Sequence, residues 1–246
     1  MIQDYRASER PAWRSIAQEA LGFTAAAALF PFGIKRPHRR TPRQPDQRTV
    51  VLIHGYLSNR STLFPVAAYL RLRGIKQVLP FNYSSSGGVE QAALQLREYL
   101  RRHVRGGRID LVCHSLGGLV ARVYIQELGG ARRVDRCVTL GTPHRGTYNS
   151  YWLNSRVGSE LRPDSPLLAR LQASRAGARD VGFLSLVAGS DNLIVPRVFA
   201  SHEREVHVPD VGHVSMVFSP RVLRIIGDYL VTSEATIAER EPACAV

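Results

Sequence analysis

From residue 49 to residue 231 the chain alternates short, nearly unbroken apolar runs with longer runs of helical periodicity, and this alternation limits the fold more than any other feature. "TVVLIHG" (49–55) is followed by helical spacing over 61–74, and "KQVLPFN" (76–82) by a helix over 89–104. "RIDLVCHS" (108–115) leads into a helix over 116–128 that ends at Gly129-Gly130. "RVDRCVTLG" (133–141), "GFLSLVAGS" (182–190) and "REVHVP" (204–209) continue the strands, and 220–231 closes the series as a helix. A strand apolar along its whole length must be covered on both faces, and strands joined through helices run parallel. The pattern predicts an α/β protein with a mainly parallel central sheet and helices on both faces. No internal repeat is visible.

In sheets of this kind reactive groups collect beyond the carboxyl ends of the strands. Four unusual segments stand at such ends: "HGY", "CHSLGG", "GSDNLIVP" and "VGHVSM". Ser115 follows a strand and opens a helix, the context of a nucleophile elbow. That sharp turn needs small residues two before and two after the serine. Gly117 provides one, Gly118 lets the helix pack closely, and Cys113 occupies the first position, where the usual pattern has glycine. The helix N-terminus directs free N–H groups toward the serine oxygen, and the N–H of Leu116 is one oxyanion donor. The second is expected from the loop after the first strand, where Gly55 permits the turn and Tyr56 supplies the N–H. His54, just before that turn, is expected to orient the loop, with His114 and Gly117 supporting the elbow.

The chain has eight histidines, and the chain order serine, acid, histidine requires a late base. His144 follows the fourth strand too closely to leave room for an acid, His207 belongs to an alternating strand, and His202 lies in a polar turn. His213, in a glycine-bearing loop ahead of the last helix, is the candidate base. Asp191 ends the "LVAGS" strand and is the candidate acid, while Asp210 reads as a turn residue after Pro209, and Asp180 falls at the wrong edge of the sheet.

"VLIHGY", "DLVCHSLGG", "VTLGTPHRGT", "GSDNLIVP" and "VGHVSMVFSP", in this order, resemble the α/β-hydrolase superfamily, and within it the bacterial lipases and esterases of the triacylglycerol-lipase type. The resemblance runs from residue 49 to about residue 231. It implies an α/β-hydrolase fold, Ser115, Asp191 and His213 as triad, and Tyr56 and Leu116 as oxyanion donors. The expected activity is serine carboxylester hydrolysis of lipid or small acyl esters through an acyl-enzyme. Acyl transfer, thioester cleavage or amide cleavage would use the same triad. The alternative of another class is a non-catalytic membrane-associated binding module on this fold; it requires a broken triad or a blocked elbow, and the sequence has neither. No cofactor or metal is expected, since no acidic cluster or metal-ligand spacing is present. Residues 148–180 replace a simple crossover with roughly one helix and irregular chain, enough for a small cap or none.

The net charge is +13, and 31 of the 33 basic residues are arginine, Lys35 and Lys76 being the others. No basic stretch is interleaved with stacking aromatics, so nucleic acid is not expected as a partner. Peripheral contact with an anionic membrane fits the charge better, and scattered solubilising arginines fit it as well. Cys113, Cys137 and Cys244 are sparse, and none requires an oxidising compartment. Oligomeric state is not legible.

Ahead of the repeating pattern, residues 20–34, "ALGFTAAAALFPFGI", are uncharged. Crossing a bilayer takes about 20 apolar residues, so this run is too short to span unaided. Trp13, Ile16, Ala17, Ala20 and Leu21 recur at helical spacing, which predicts an amphipathic helix within 1–34 that docks on the body or lies on a membrane. Removal as a signal peptide is the other reading, although Asp4, Glu9 and Glu19 precede the apolar run. Cytoplasmic or membrane-associated localisation follows from the first reading, and secreted or periplasmic from the second. Residues 35–48, with six basic residues, one acid and three prolines, read as a linker to a hydrolase domain over 49–246.

Overall fold

The computed structural model describes residues 12–34, 48–104, 106–195 and 204–231. Among them, β1 (Thr49–Ile53), β2 (Gln77–Phe81), β3 (Ile109–His114), β4 (Val134–Leu140), β5 (Gly182–Ala188) and β6 (Arg204–Val208) form one six-stranded sheet in the order β2-β1-β3-β4-β5-β6. Every pairing is parallel. The helices are α1 (Ala12–Ile34), α2 (Phe64–Leu72), α3 (Gly88–His103), α4 (Leu116–Glu127), α5 (Arg156–Glu160), α6 (Pro166–Ala173) and α7 (Pro220–Val231).

Successive residues of a strand point to opposite faces, and in β1, β3, β4 and β5 both faces are buried. Val51, Ile53, Leu111, Cys113 and Cys137 enter one core with apolar residues of α3, α4 and α6. Val50, Leu52, Val112, Val138 and Leu140 enter the other, with residues of α2 and α7. That two-sided burial is why the strands read as continuous apolar runs.

The helical spacing over 61–74 resolves into two pieces. A single 3-10 turn (Arg60–Leu63) precedes α2, because Pro65 has no N–H to give and suits only a first helical turn. Residues 148–180 hold more helix than their sequence suggests: α5 and α6, flanked by 3-10 turns at Tyr148–Trp152 and Ser174–Ala178. Ser155 caps α5 by accepting from Gly158 N, and Ser165 caps α6 by accepting from Leu168 N, with Pro166 in its first turn. Leu161, Leu167, Leu168 and Leu171 join the core shared with α3 and α4, so the segment belongs to the helical layer. Tyr148, Tyr151 and Trp152 stay exposed at its leading end.

The α1 helix lies against the 3-10 turn of Arg60–Leu63 and a second one at Ser215–Phe218. Its buried residues are Gly22 and Gly33. The apolar stripe of Trp13, Ile16 and Leu21 faces away from the body. No helix among the described residues is long and apolar enough to cross a membrane.

The chain leaves β1 toward one sheet edge to make β2, then returns to the other side of β1 for β3. Loops diverge at that switch point and open a crevice beyond the strand ends. Register aligns Ile53 with Cys113, His114 with Leu140, Leu140 with Leu186 and Ala188 with Val208. The residues that follow these positions therefore share one edge of the sheet.

Candidate active site

The turn between β3 and α4 is built around Ser115, whose φ of 53° and ψ of −123° lie outside the comfortable regions for a residue with a side chain. Bonds on both sides hold it there. Its N–H donates to Leu140 O at 2.8 Å, and its carbonyl accepts from Thr142 Oγ1 at 2.9 Å and Gly118 N at 3.0 Å. Two glycines make the tight approach of α4 feasible. A methyl on Gly117 would stand 2.5 Å from Ile53 O, and one on Gly118 would stand 2.1 Å from Thr142 Oγ1. Cys113 is fully buried in β3 opposite Ile53 and Thr139, a place for a small apolar side chain. Leu116 is buried and opens α4, so its N–H belongs to the first helical turn, which has no carbonyl within the helix to bond.

Beyond β1, the "HGY" loop abuts this turn: a methyl on Gly55 would lie 3.1 Å from Ser115 Cβ. Both nitrogens of the buried His54 ring are engaged. Nδ1 donates to Gly55 O at 2.9 Å, and Nε2 accepts from Tyr83 N at 3.4 Å. Tyr83 Oη donates to His54 O at 2.8 Å while its ring stacks on the imidazole at 4.3 Å. Burial pulls the His54 pKa from 6.5 to about 4. The neutral imidazole thus ties the loop after β1 to Tyr83, with both nitrogens engaged. Half-buried Tyr56 packs against the α3–α4 core, with Oη donating to Ser155 Oγ at 3.5 Å.

Asp191 and His213 meet directly. His213 Nδ1 lies 2.7 Å from Asp191 Oδ2, and both side chains are almost wholly buried. Asp191 Oδ1 accepts from the N–H groups of Leu193 and Ile194, each at 2.9 Å. Burial by itself would raise the Asp191 pKa, but the bond to His213, its charge and the two backbone donors outweigh it, and the net direction is downward. An ionised carboxylate only accepts, so the proton of this bond sits on Nδ1, and in the neutral form of the ring Nε2 is the acceptor. The His213 ring packs on the end of β4, where a methyl on Gly141 would stand 3.1 Å from Nδ1. Ser115 is tied to the preceding residue, Leu140, so serine and histidine share the end of one strand. His114 completes the join: its Nε2 donates to His213 O at 2.9 Å, and the two rings lie 4.9 Å apart. Burial and the adjacent His213 push His114 down to about 3, so it is a neutral donor.

Several supports were not visible as such in the sequence. Glu19 of α1 accepts from Val214 N at 2.7 Å and Ser215 N at 2.9 Å, the two residues after His213. Its only signal was being the sole acid in α1. Asn59 caps the 3-10 turn after the "HGY" loop and donates from Nδ2 to Phe30 O at 2.9 Å, joining that loop to the same helix. Within "LGTPHRGT", Thr142 holds the Ser115 carbonyl, and His144 is buried near Thr139 Oγ1 (3.0 Å) and Arg122, which donates to its carbonyl. His207 lies on β6 beside Glu205, and Asp210 sits in a turn at φ 61°. His38 and His202 fall outside the described residues, as do the linker residues 35–47.

A family model described as a domain of unknown function (DUF7379) matches residues 28–150, half of the chain. The chain belongs to that family. Among solved structures, this DUF7379 member is similar to mature Bacillus licheniformis lipase BlEst2, with a TM-score of 0.64 at 14% identity over 81% of this chain and 96% of that one. It is also similar to Aspergillus fumigatus lipase B, with a TM-score of 0.64 at 13% identity over 83% of this chain and 57% of the other. A pyrethroid hydrolase from Sphingobium faniae matches with a TM-score of 0.52 at 18% identity, over 74% and 97% of the two chains. At such identities the likeness establishes the α/β-hydrolase fold for this DUF7379 chain.

Proposed function

We propose that this protein is a serine carboxylester hydrolase of the lipase or esterase type, with Ser115 as nucleophile, His213 as general base and acid, and Asp191 as its orienting carboxylate. One observation carries the reading: a serine in strained conformation between a strand and a helix shares a strand end with a buried histidine–carboxylate pair 2.7 Å apart. Ser115 Oγ attacks the ester carbonyl carbon as its proton passes to His213 Nε2. The N–H groups of Leu116 and Tyr56 receive the negative carbonyl oxygen. The bond to the alcohol then breaks, His213 returns the proton to the departing oxygen, and an acyl-Ser115 remains. Water, giving its proton to His213, attacks the acyl carbon; the bond to Ser115 Oγ breaks as His213 passes that proton to the oxygen, releasing the carboxylic acid and free Ser115. Exposed Leu57, Tyr148, Trp152, Leu193 and Val195 stand on loops beyond the strand ends, and this apolar setting supports an acyl ester as substrate. The lipases among the structural neighbours support the same class.

Labelling with a fluorophosphonate probe, alongside a panel of p-nitrophenyl esters, tests the proposal. The wild-type chain is expected to label and to hydrolyse at least one ester. Ser115→Ala is expected to lose labelling and to lower kcat by about 1,000-fold or more. A wild type that neither labels nor hydrolyses any ester, or a Ser115→Ala variant that labels equally, would overturn it.

A further inference from the structure

The outward face of α1 carries Trp13, Ile16, Leu21, Phe23, Phe32 and Ile34, each between 49% and 69% exposed. A helix on the surface of a water-soluble protein turns its polar face outward, yet α1 has no charged residue between Glu19 and Lys35. Glu19, the one acid of the helix, is turned inward onto the backbone after His213. Small residues form the inner side, with Gly22 so close to the body that a methyl there would stand 2.8 Å from Ser215 Cα. The helix thus spends its smallest residues on the protein and presents its largest to the outside. An apolar patch of this kind marks a docking surface.

Charge says what covers it. Arg14 stands at the start of the helix, residues 35–48 after it carry six basic residues against one acid, and the whole chain carries +13. An apolar helical face flanked by basic residues, with an exposed tryptophan near one end, is the pattern of a helix lying in the plane of a negatively charged lipid surface. At 23 residues α1 is not long and apolar enough to cross, which leaves the in-plane geometry. We propose that the outward face of α1 docks on an anionic phospholipid bilayer. Because α1 is bonded both to the loop after β1 and to the loop carrying His213, docking would set the candidate site beside the lipid surface.

Flotation of the full chain with phosphatidylcholine vesicles, with and without phosphatidylglycerol, tests this without relying on enzyme activity. The wild type is expected to bind vesicles containing phosphatidylglycerol at least about tenfold more tightly than neutral ones, and less tightly as salt rises. A Phe23→Ser/Phe32→Ser variant is expected to lose at least about tenfold in binding, because both rings are exposed and leave the fold intact. Its circular dichroism and its hydrolysis of a short soluble ester should match those of the wild type, so failure of docking and failure of the esterase proposal are distinguishable. Absence of wild-type flotation, or unchanged binding by the double variant, would overturn the docking surface. Equal binding to neutral vesicles would overturn its anionic specificity. A dimer by light scattering that the double variant converts to monomer would assign the face to a second copy and overturn the bilayer proposal.

Discussion

Ser115 is asked to do two opposing things: to sit in a backbone conformation that a side chain disfavours, and to present a side chain. The strain at φ 53° is held by Leu140 O, Thr142 Oγ1 and Gly118 N, which over-determine the turn. A glycine there would keep the turn and lose the strain. Ser115→Gly is expected to be more stable than Ser115→Ala by about 1–2 kcal/mol while remaining equally inactive, as measured by urea unfolding. Equal stability of the two variants would mean that the turn stores no strain. At this scale the sequence was informative about identity and blind to pairing. Ser115 and Asp191 were proposed because each follows an apolar strand, and His213 because it stands in a glycine-bearing loop after the last strand. That His114 donates to the carbonyl of His213 could not be read, because the bond joins residues 99 apart.

At the scale of elements, α1 was legible as a helix and not as a part of the candidate site. Periodicity shows which residues share a face but not which face meets the body, and the face that meets it is the one with little hydrophobic signal. Glu19 satisfies two N–H groups on the loop of His213, groups that are otherwise left without acceptors. Glu19→Ala is expected to cost about 1–3 kcal/mol of stability and to lower kcat on a soluble ester, by loosening the His213 loop. Glu19→Gln, which retains one acceptor oxygen, should fall between that variant and wild type in both measurements. If Glu19→Ala unfolds in urea and turns over as wild type does, α1 is merely apposed to the loop. Strand positions, by contrast, were readable to within about two residues, since strands buried on both faces leave unbroken apolar runs and the edge strand β6 leaves an alternating one. Residues 148–180 were the least legible element. Their helices are only 5 and 8 residues long, started by single serine caps and too short to display a period.

Over the whole molecule, three buried histidines give folding a pH dependence with a definite sign. Burial holds His54 at about 4 and His114 at about 3, and it holds His144 well below 6.5. Unfolded, each would titrate near 6.5. Below that pH the unfolded chain binds protons that the folded one refuses, so stability is complete above 6.5 and declines as pH falls toward the folded-state values. Three such groups together allow a slope of up to about 4 kcal/mol per pH unit. Urea midpoints should therefore drop steeply between about pH 6.5 and about pH 4. A flat profile over that range would show that the histidines are not buried in neutral form.

By itself the sequence determined the layer order of this protein and the strand ends at which Ser115, Asp191 and His213, the residues proposed for the chemistry, stand. These depend on local periodicity and on turn chemistry, which are written in consecutive positions. Only the tertiary structure decided that His213 and Asp191 meet, that the His54 and His114 rings are buried and neutral, and that α1 bonds to the His213 loop while turning its large apolar side chains outward. Those outcomes depend on which surfaces approach closely enough to exclude water, and contacts across as many as 196 residues leave no trace in the pattern of neighbours along the chain.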